Sequence, residues 1–178
     1  MSTEDWSLGA ARDAQSVTPE WNPHEQRLIE GVVVRQAKNV VASNGVVTEL
    51  YRRDWNTDES DVGQVFQRTL VPGGLSAWHA HEVTTDRLFV VGGLIRLALY
   101  DARPDSETRG EVNVFNLAWC RPALVIVPPK VWHGVANAGS VDATVINIVD
   151  HAYSYSEPDH WRLPPGTDLI PYRIEAAG

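Results

Sequence analysis

Cysteine and long hydrophobic runs are the features that this sequence most lacks. Cys120 is the single cysteine among 178 residues, which excludes an internal disulfide. We expect its side chain to be a small hydrophobe in the core. The longest apolar runs, such as Ala123–Val127, have the length of a strand and fall far short of the roughly 20 residues that a membrane-spanning helix needs. The sequence therefore predicts no transmembrane segment.

Positive charge is also scarce. Lys and Arg number 15 against 23 Asp and Glu, which gives a net charge of -8. This balance disfavours nucleic acid or an anionic membrane surface as a partner. The N-terminal residues MSTEDWSL lack the basic and apolar regions of a secretory signal. We therefore expect a soluble, cytoplasmic protein.

Helical periodicity and the glycine fingerprints of nucleotide-binding loops are missing as well. Gly73-Gly74 and Gly92-Gly93 lack the strand–turn–helix context of such loops, and we interpret them as turns. Short β-rich runs separated by Gly, Pro, Asn and Asp predict an all-β sandwich or barrel. The predicted strands cover residues 32–35, 46–52, 64–71, 87–91, 94–100, 111–116, 124–127, 131–136 and 143–150.

The length fits one domain with a lead-in segment. Residues 1–28 are polar and irregular but contain Trp6 and Trp21, so we interpret them as an arm that packs on the domain or on a partner subunit. The alternative is a frayed tail. Residues 29–178 form the predicted domain. The Pro-rich residues 157–171 are expected to close it as an extended wrap rather than as a central strand.

Four residues suggest a metal site. His79 and His81 are two apart, so an extended strand directs both imidazoles to one face. Asp86 opens the next apolar run, and His133 follows Pro128-Pro129. Neutral imidazoles and a carboxylate suit divalent iron, manganese, nickel or zinc. The alternative is that His79 is a base, His81 its hydrogen-bonding neighbour and Asp86 a group that orients one of them.

The same residues resemble the two signatures of the cupin superfamily. The first signature is matched by Gly73, His79-x-His81, Asp86 and Gly93, with Asp where Glu is usual. The second is matched by Pro128, His133 and Asn137, with Lys130 where Gly is usual. The resemblance implies a double-stranded β-helix, or jelly roll, with a metal held inside by three histidines and an acidic residue.

A longer stretch, about residues 45–172, resembles the dTDP-4-dehydrorhamnose 3,5-epimerase family, which shares the cupin fold. The resemblance implies an epimerase or isomerase that removes protons beside a ketone, and a homodimer that pairs through its sheets. The segments that carry it are VTELYRRDW at 47–55, YDARPDSETRG at 100–110, VPPKVWHG at 127–134 and the tail at 155–162.

The family's chemistry is only partly kept. His79 corresponds to the family's catalytic base and His133 to its supporting histidine. Asp86 replaces the lysine that stabilises the enolate, and His81 replaces a glutamine. These two changes remove a cation and add two metal ligands. A bound dication can stabilise the same enolate, so the site looks converted from metal-free to metal-bound.

Three further positions of the family differ. The arginine that opens the family's histidine motif is Ser76, which weakens the case for a nucleotide diphosphate. The acid-donating tyrosine aligns with Asn147, and the aspartate that partners the base aligns near Pro164 or Pro165.

The candidate substrate-binding residues are Glu49, Arg87 and Asn147. Glu49 corresponds to a family glutamate near the pocket, although a surface carboxylate is an equal interpretation. Arg87 could meet an anionic substrate, but strand arginines are more often on the outside of a barrel. We expect His151 and His160 to be exposed in the C-terminal region, and Trp78 and Trp132, of opposite parity to the histidines, to pack rather than to stack on substrate.

Together these patterns predict an epimerase or isomerase that acts beside the carbonyl of a sugar-like small molecule, such as a nucleotide sugar, with a divalent metal. Two alternatives stay open. An open site of histidines and a carboxylate also serves metal-dependent dioxygenases. A cupin can also bind a small molecule without catalysis.

Overall fold

Strands dominate the chain. The computed structural model describes residues 8–21, 26–55 and 61–175. Within them lie twelve strands and a single 3-10 turn at Arg53–Trp55. The strands are β1 Val33–Gln36, β2 Asn39–Ala42, β3 Gly45–Thr48, β4 Gln64–Leu70, β5 Leu75–Ala80, β6 Asp86–Gly92, β7 Leu94–Asp101, β8 Val112–Ala118, β9 Ala123–Val127, β10 Val131–Asn137, β11 Ala143–Val149 and β12 Trp161–Arg162.

These strands build two five-stranded sheets and a separate hairpin. One sheet has the order β1-β9-β6-β11-β4, the other β12-β5-β10-β7-β8, and β2 pairs with β3. Every pairing is antiparallel, and most neighbours are distant in sequence. This is the jelly-roll arrangement of two packed sheets, so the all-β prediction is confirmed.

The apolar core lies between the inner faces of the sheets, where strand alternation delivers every second side chain. Leu97 and Leu99 of β7 and Val125 and Val127 of β9 are almost completely buried there. Buried polar side chains, among them Asp86 and His133, occupy the inner faces beside this core. The core therefore provides a rigid apolar base under the histidine-bearing strands.

The C-terminal segment extends the second sheet and covers its outer face. Strand β12 pairs with β5, and Trp78 and Leu163 exchange two backbone hydrogen bonds of 3.0 Å. Ile170 and Ile174 pack against the fully buried Trp78 and the partly buried Trp132. The predicted extended wrap is confirmed, and both tryptophans pack away from the histidines.

Ile29, at the start of the predicted domain, is buried in the core, and its N–H donates to Asn113 Oδ1 at 2.9 Å. Residues 8–21 are mostly exposed, and Trp21 is 84% exposed. Trp6 lies outside the described residues. The packing role of the arm and its boundary at residue 28 therefore stay predictions.

Several details differ from the sequence prediction. The predicted strand ranges contain neither β5, which carries His79, nor the short edge strand β12. Cys120 is exposed rather than buried, because it lies in the turn between β8 and β9. The strand predicted over 46–52 ends at Thr48, since a 3-10 turn follows, and β2 pairs with it as an unpredicted hairpin partner. No helix in the described part of the chain has the length and hydropathy needed to cross a bilayer.

Candidate active site

The predicted ligands converge between the two sheets. His133 of β10 is paired in register with His79 of β5. Gly134 permits this close approach, since a Cβ atom there would lie 2.4 Å from Ala77 Cβ. Asp86 comes from β6 in the opposite sheet, and His81 follows the end of β5.

The three imidazoles and the carboxylate share one small volume. The ring centroids of His79 and His133 are 4.0 Å apart. Asp86 Oδ2 lies 3.2 Å from His133 Nε2 and 3.3 Å from His81 Nε2. One ring nitrogen from each of the three histidines lies within 4.8 Å of the others. All four residues named as ligands are therefore brought together.

Backbone carbonyls fix the ring orientation of two of these histidines. His133 Nδ1 donates to the Val131 carbonyl at 3.0 Å, and His81 Nδ1 donates to the Asp159 carbonyl. A carbonyl only accepts, so the Nδ1 atom of each ring carries a hydrogen. Each Nε2 atom then faces the site, as in metal-ligating histidines whose other nitrogen is held by a hydrogen bond.

The turn that precedes β10 is tied to the same loop. Lys130 adopts a positive φ of 66°, a conformation in which glycine is usual. Its N–H donates to the His81 carbonyl at 2.6 Å. This geometry explains why the cupin signature has glycine at this position, and the bond connects the His81 loop to the strand that carries His133.

Asp86 is 2% exposed, and only one of its oxygens has a well-oriented donor within the described residues. Asn147 Nδ2 donates to Oδ1 at 2.5 Å, whereas Oδ2 faces His133 and His81. Burial alone would raise the pKa of Asp86, but the interactions with His133, His81 and Asn147 outweigh it and lower the pKa. The carboxylate is therefore ionised near neutral pH.

The pKa of His79 is shifted downward. Burial lowers its pKa well below the ordinary value, and the neighbouring His133 and His81 lower it further. Its Nδ1 atom is buried without a hydrogen-bond partner among the described residues. His79 is therefore a neutral imidazole near neutral pH, able to bind a metal or to accept a proton.

A fourth imidazole, His160, enters the site from the C-terminal segment. Its ring centroid lies 4.9 Å from that of His81 and 5.2 Å from that of His79. Burial and the nearby Arg162 lower its pKa to about 4. The prediction that His160 is exposed is wrong. Its contacts join residues about 80 positions apart, and no local spacing in the sequence indicates them.

Asp159 holds this segment in place. Its carboxylate accepts hydrogen bonds from the backbone N–H groups of Glu82, Val83 and Thr84, at 2.6 to 3.0 Å, and from the Thr84 hydroxyl at 2.8 Å. Burial would raise the pKa of Asp159, but these bonds outweigh it and lower the pKa to about 2. These bonds attach the residue before His160 to the loop that follows His81.

These groups line a cavity of about 330 Å³. Its apolar wall includes Leu88, Val135 and Val145. Phe66 and Arg68 line it from the edge strand β4. Among the described residues that line the cavity, Arg68 is the one Lys or Arg side chain. The volume is at the small end of the range for small-molecule sites.

The three candidate substrate-binding residues take different places. Asn147 lines the cavity, but its amide donates to Asp86. Glu49 is exposed and forms an ion pair with Arg52 at 2.9 Å, outside the cavity. Arg87 is fully buried on the opposite face of β6, donates to the Ile148 carbonyl at 3.3 Å and does not line the cavity.

Among the other positions singled out in the sequence, Ser76 is buried in β5 away from the cavity lining. His151 is exposed, as expected, and lines the cavity. Its Nδ1 atom lies 2.9 Å from Asp150 Oδ1.

Comparison with known proteins identifies two relatives with more than 30% identity. The probable low-salt glycan biosynthesis epimerase Agl13 of Haloferax volcanii is 32% identical over 137 residues, which are 76% of this chain and 88% of that protein. The spore coat polysaccharide biosynthesis protein SpsL of Bacillus subtilis is 34% identical over 143 residues, 80% of this chain and 94% of that protein. No family model matches the chain.

Solved structures agree with these relatives. A dTDP sugar isomerase from Desulfovibrio desulfuricans superposes with a TM-score of 0.75 at 28% identity, covering 81% of this chain and 90% of that chain. A dTDP-4-dehydrorhamnose 3,5-epimerase from Bacillus anthracis shares the fold, with a TM-score of 0.72 at 17% identity over 83% of this chain and 86% of that chain. The chain therefore belongs to the cupin-fold family of sugar epimerases and isomerases related to dTDP-4-dehydrorhamnose 3,5-epimerase, and it is an epimerase or isomerase.

Proposed function

We propose that the chain epimerises or isomerises a nucleotide sugar that carries a ketone, using a divalent metal held by His79, His81, Asp86 and His133. One observation carries the metal proposal. Asp86 Oδ2 is buried without a well-oriented donor among the described residues, and the Nε2 atoms of His133 and His81 flank it at 3.2 and 3.3 Å. Imidazole nitrogens and a carboxylate oxygen this close together need a cation or a proton between them.

The donor set fits a borderline divalent ion. Imidazole nitrogens and a carboxylate oxygen suit iron, manganese, nickel or zinc. Metal–ligand bonds of roughly 2.0–2.2 Å keep the donors of one ion within about 4.4 Å of one another. The histidine nitrogens, within 4.8 Å of one another, need only a small closure to reach that spacing. The buried Nδ1 of His79, which has no partner among the described residues, supports the same interpretation.

When bound, such an ion supplies positive charge to a ketone oxygen as the neighbouring carbon loses its proton. That charge compensates for the family's lysine, whose position is taken by Asp86. The chain's own residues supply the orientation: backbone carbonyls fix His81 and His133, and Asn147 fixes Asp86. Leu88, Val135 and Val145 give the cavity an apolar wall beside these groups.

The substrate class rests on similarity and on the cavity lining. The Desulfovibrio relative, at 28% identity, is a dTDP sugar isomerase. Arg68 offers a positive charge for a phosphate in place of the family's arginine at Ser76, which does not line the cavity. Phe66, two residues earlier on the same face of β4, offers an apolar surface beside it.

Two measurements test the proposal. Elemental analysis should find near-stoichiometric metal in the wild-type protein and little in His81→Ala, whereas His151→Ala, which alters an exposed histidine bonded to Asp150, should keep its metal. Incubation with a dTDP-4-keto-6-deoxy sugar in D₂O should place deuterium beside the ketone. If the wild-type protein holds no metal even after reloading, His79 returns to the role of base. If no 4-keto nucleotide sugar exchanges, the epimerase proposal fails for this substrate class.

We also propose a homodimer, as the family resemblance implies. The hairpin β2–β3 carries four exposed apolar side chains, Val40, Val41, Val46 and Val47, with exposed fractions of 54% to 79%. A second copy that covers them would remove an apolar surface that is unusual on a monomer. Sedimentation velocity should give about twice the mass of one chain, and a charged Val41→Glu variant should sediment as the monomer.

A further inference from the structure

We propose that His160 is a further catalytic residue, the group that removes and returns the substrate proton while His79, His81, Asp86 and His133 hold the metal. The inference rests on the proposed function, since it assigns a role within that same reaction. A metal-bound imidazole has its lone pair engaged and cannot accept a proton, so metal binding removes His79 from the role of base. Another side chain in the cavity must then perform proton transfer.

The structure places His160 for this role. Its ring lies next to the rings of His79 and His81, with centroid distances of 5.2 and 4.9 Å, and it lines the cavity. Its Nε2 atom is buried and has no hydrogen-bond partner within the described residues. A buried ring nitrogen without a partner is costly unless a ligand satisfies it.

The segment that carries His160 is held rigidly. Four hydrogen bonds to the carboxylate of Asp159 fix the residue before His160. The pairing of β12 with β5 fixes the two residues after it. The Asp159 carbonyl also accepts the hydrogen bond of His81 Nδ1. One short segment therefore orients a proposed metal ligand and a proposed base, which fixes their relative positions.

The other proton-transfer groups that line the cavity are less suitable. Asp159 is engaged by its four donors. His151 and Glu157 are exposed, and His151 is bonded to Asp150. Tyr153 is half exposed, so water competes at its hydroxyl. His160 is the remaining imidazole among the described residues of the lining.

The proposed step is a proton transfer that needs no oxidant or reductant. The C–H bond beside the ketone breaks, its proton moves to His160, and the electron pair forms the carbon–carbon double bond of an enolate whose negative charge is on the former ketone oxygen. Return of a proton to the enolate, from His160 or from water, restores the ketone. In D₂O the returned proton is a deuteron, which makes the step visible.

The test compares the wild-type protein with His160→Gln and with Trp161→Phe, a control on the next residue of the same segment, whose exposed side chain does not line the cavity. The probe is a dTDP-4-keto-6-deoxy sugar in D₂O, followed by NMR, with metal content measured in each protein. We expect His160→Gln to lose exchange by about 10²- to 10⁴-fold, with metal content and KM close to wild type. Trp161→Phe should exchange normally. Free imidazole should partly rescue exchange by His160→Ala, which a purely structural role would not allow.

Each contrary outcome has a distinct meaning. Exchange by His160→Gln close to the wild-type rate would overturn the inference and leave the proposed function intact. Loss of metal from His160→Gln would make His160 a ligand instead of a base. No rescue by imidazole in a folded, metal-containing His160→Ala protein would reduce His160 to a structural residue. An inactive, metal-containing wild-type protein would overturn the proposed function, and the inference with it.

Discussion

Two buried aspartates in this barrel, Asp86 and Asp101, have opposite surroundings. Asp101, at the end of β7, is fully buried and accepts hydrogen bonds from the side chains of Arg103, Ser106 and Thr108 and from the Arg103 backbone N–H. Asp86, at the start of β6, is 2% exposed and has a single well-oriented donor, Asn147, within the described residues.

The difference is the one expected between a structural carboxylate and a functional one. A buried charge is costly unless its neighbours satisfy it, and the environment of Asp101 satisfies both of its oxygens. Asp86 keeps one oxygen, which lies between two imidazoles, without a well-oriented donor among the described residues, an arrangement expected where a ligand completes it. Asp101 should therefore matter for folding, and Asp86 for chemistry.

Replacing each aspartate by asparagine should give the largest and most opposed effects. In Asp86→Asn, deuterium exchange into a dTDP-4-keto-6-deoxy sugar should fall about 10²- to 10³-fold, and bound metal should be lost. Its free energy of unfolding, measured without metal, should fall by less than that of Asp101→Asn, because Asp86 has one well-oriented donor among the described residues whereas Asp101 has several. Asp101→Asn should keep its exchange rate but lose about 1.5–3 kcal/mol of unfolding free energy. If both variants lost activity and stability together, the distinction would be wrong.

Asn147→Ala should have an intermediate effect on metal affinity or on KM, and which of the two changes distinguishes two roles of Asn147. If its amide orients Asp86, metal affinity should weaken about 10- to 100-fold, measured by competition with a chelator. If Asn147 instead binds substrate, as the sequence predicts, KM for the nucleotide sugar should rise while metal affinity stays unchanged. The hydrogen bond of 2.5 Å to Asp86 favours the first result. Asn147→Asp, which replaces the amide donor by a second acidic group, should weaken metal retention less than Ala if negative charge compensates for orientation.

Acid should reduce the contribution of Asp101 to the free energy of unfolding. Burial would raise its pKa, but the hydrogen bonds from Arg103, Ser106 and Thr108 outweigh burial and lower the pKa. A lowered folded-state pKa means that the ionised carboxylate stabilises the fold above the unfolded-state pKa of about 3.9. That contribution is lost as the pH falls through this value toward the folded-state pKa.

Urea unfolding of wild type and Asp101→Asn between about pH 3 and pH 7 tests this. The difference in unfolding free energy should be constant near neutrality and should shrink below about pH 4. An equal difference in unfolding free energy at both ends of this pH range would show that the hydrogen bonds of Asp101 depend on geometry and not on its charge.

Local patterns predicted most of the strands, though not β2, β5 or β12, and selected four residues that the structure brings together, because both follow from alternation along the chain. The parity of His79 and His81 and the opening position of Asp86 placed them on inner faces, where the structure has them. The roles of His160 and Asp159 could not be predicted, since they depend on a C-terminal segment returning to β5, a contact between distant residues. The same limit applies to Arg87. Alternation along β6 indicates which face of the sheet carries its side chain, but no local pattern indicates that the loop at Tyr51 covers it.

Glu49→Gln should have the smallest effect and completes the comparison with a carboxylate at the surface. Its ion pair with Arg52 has both side chains about half exposed, so water and salt screen it and it contributes little stability. The variant should unfold within about 0.5 kcal/mol of wild type, with unchanged metal content and exchange. The sequence-based alternative, in which Glu49 contacts substrate, predicts a raised KM for the nucleotide sugar instead. That result would mean that the loop carrying Glu49 reaches the substrate of this subunit or of a partner subunit, since in the single chain its carboxylate lies outside the cavity.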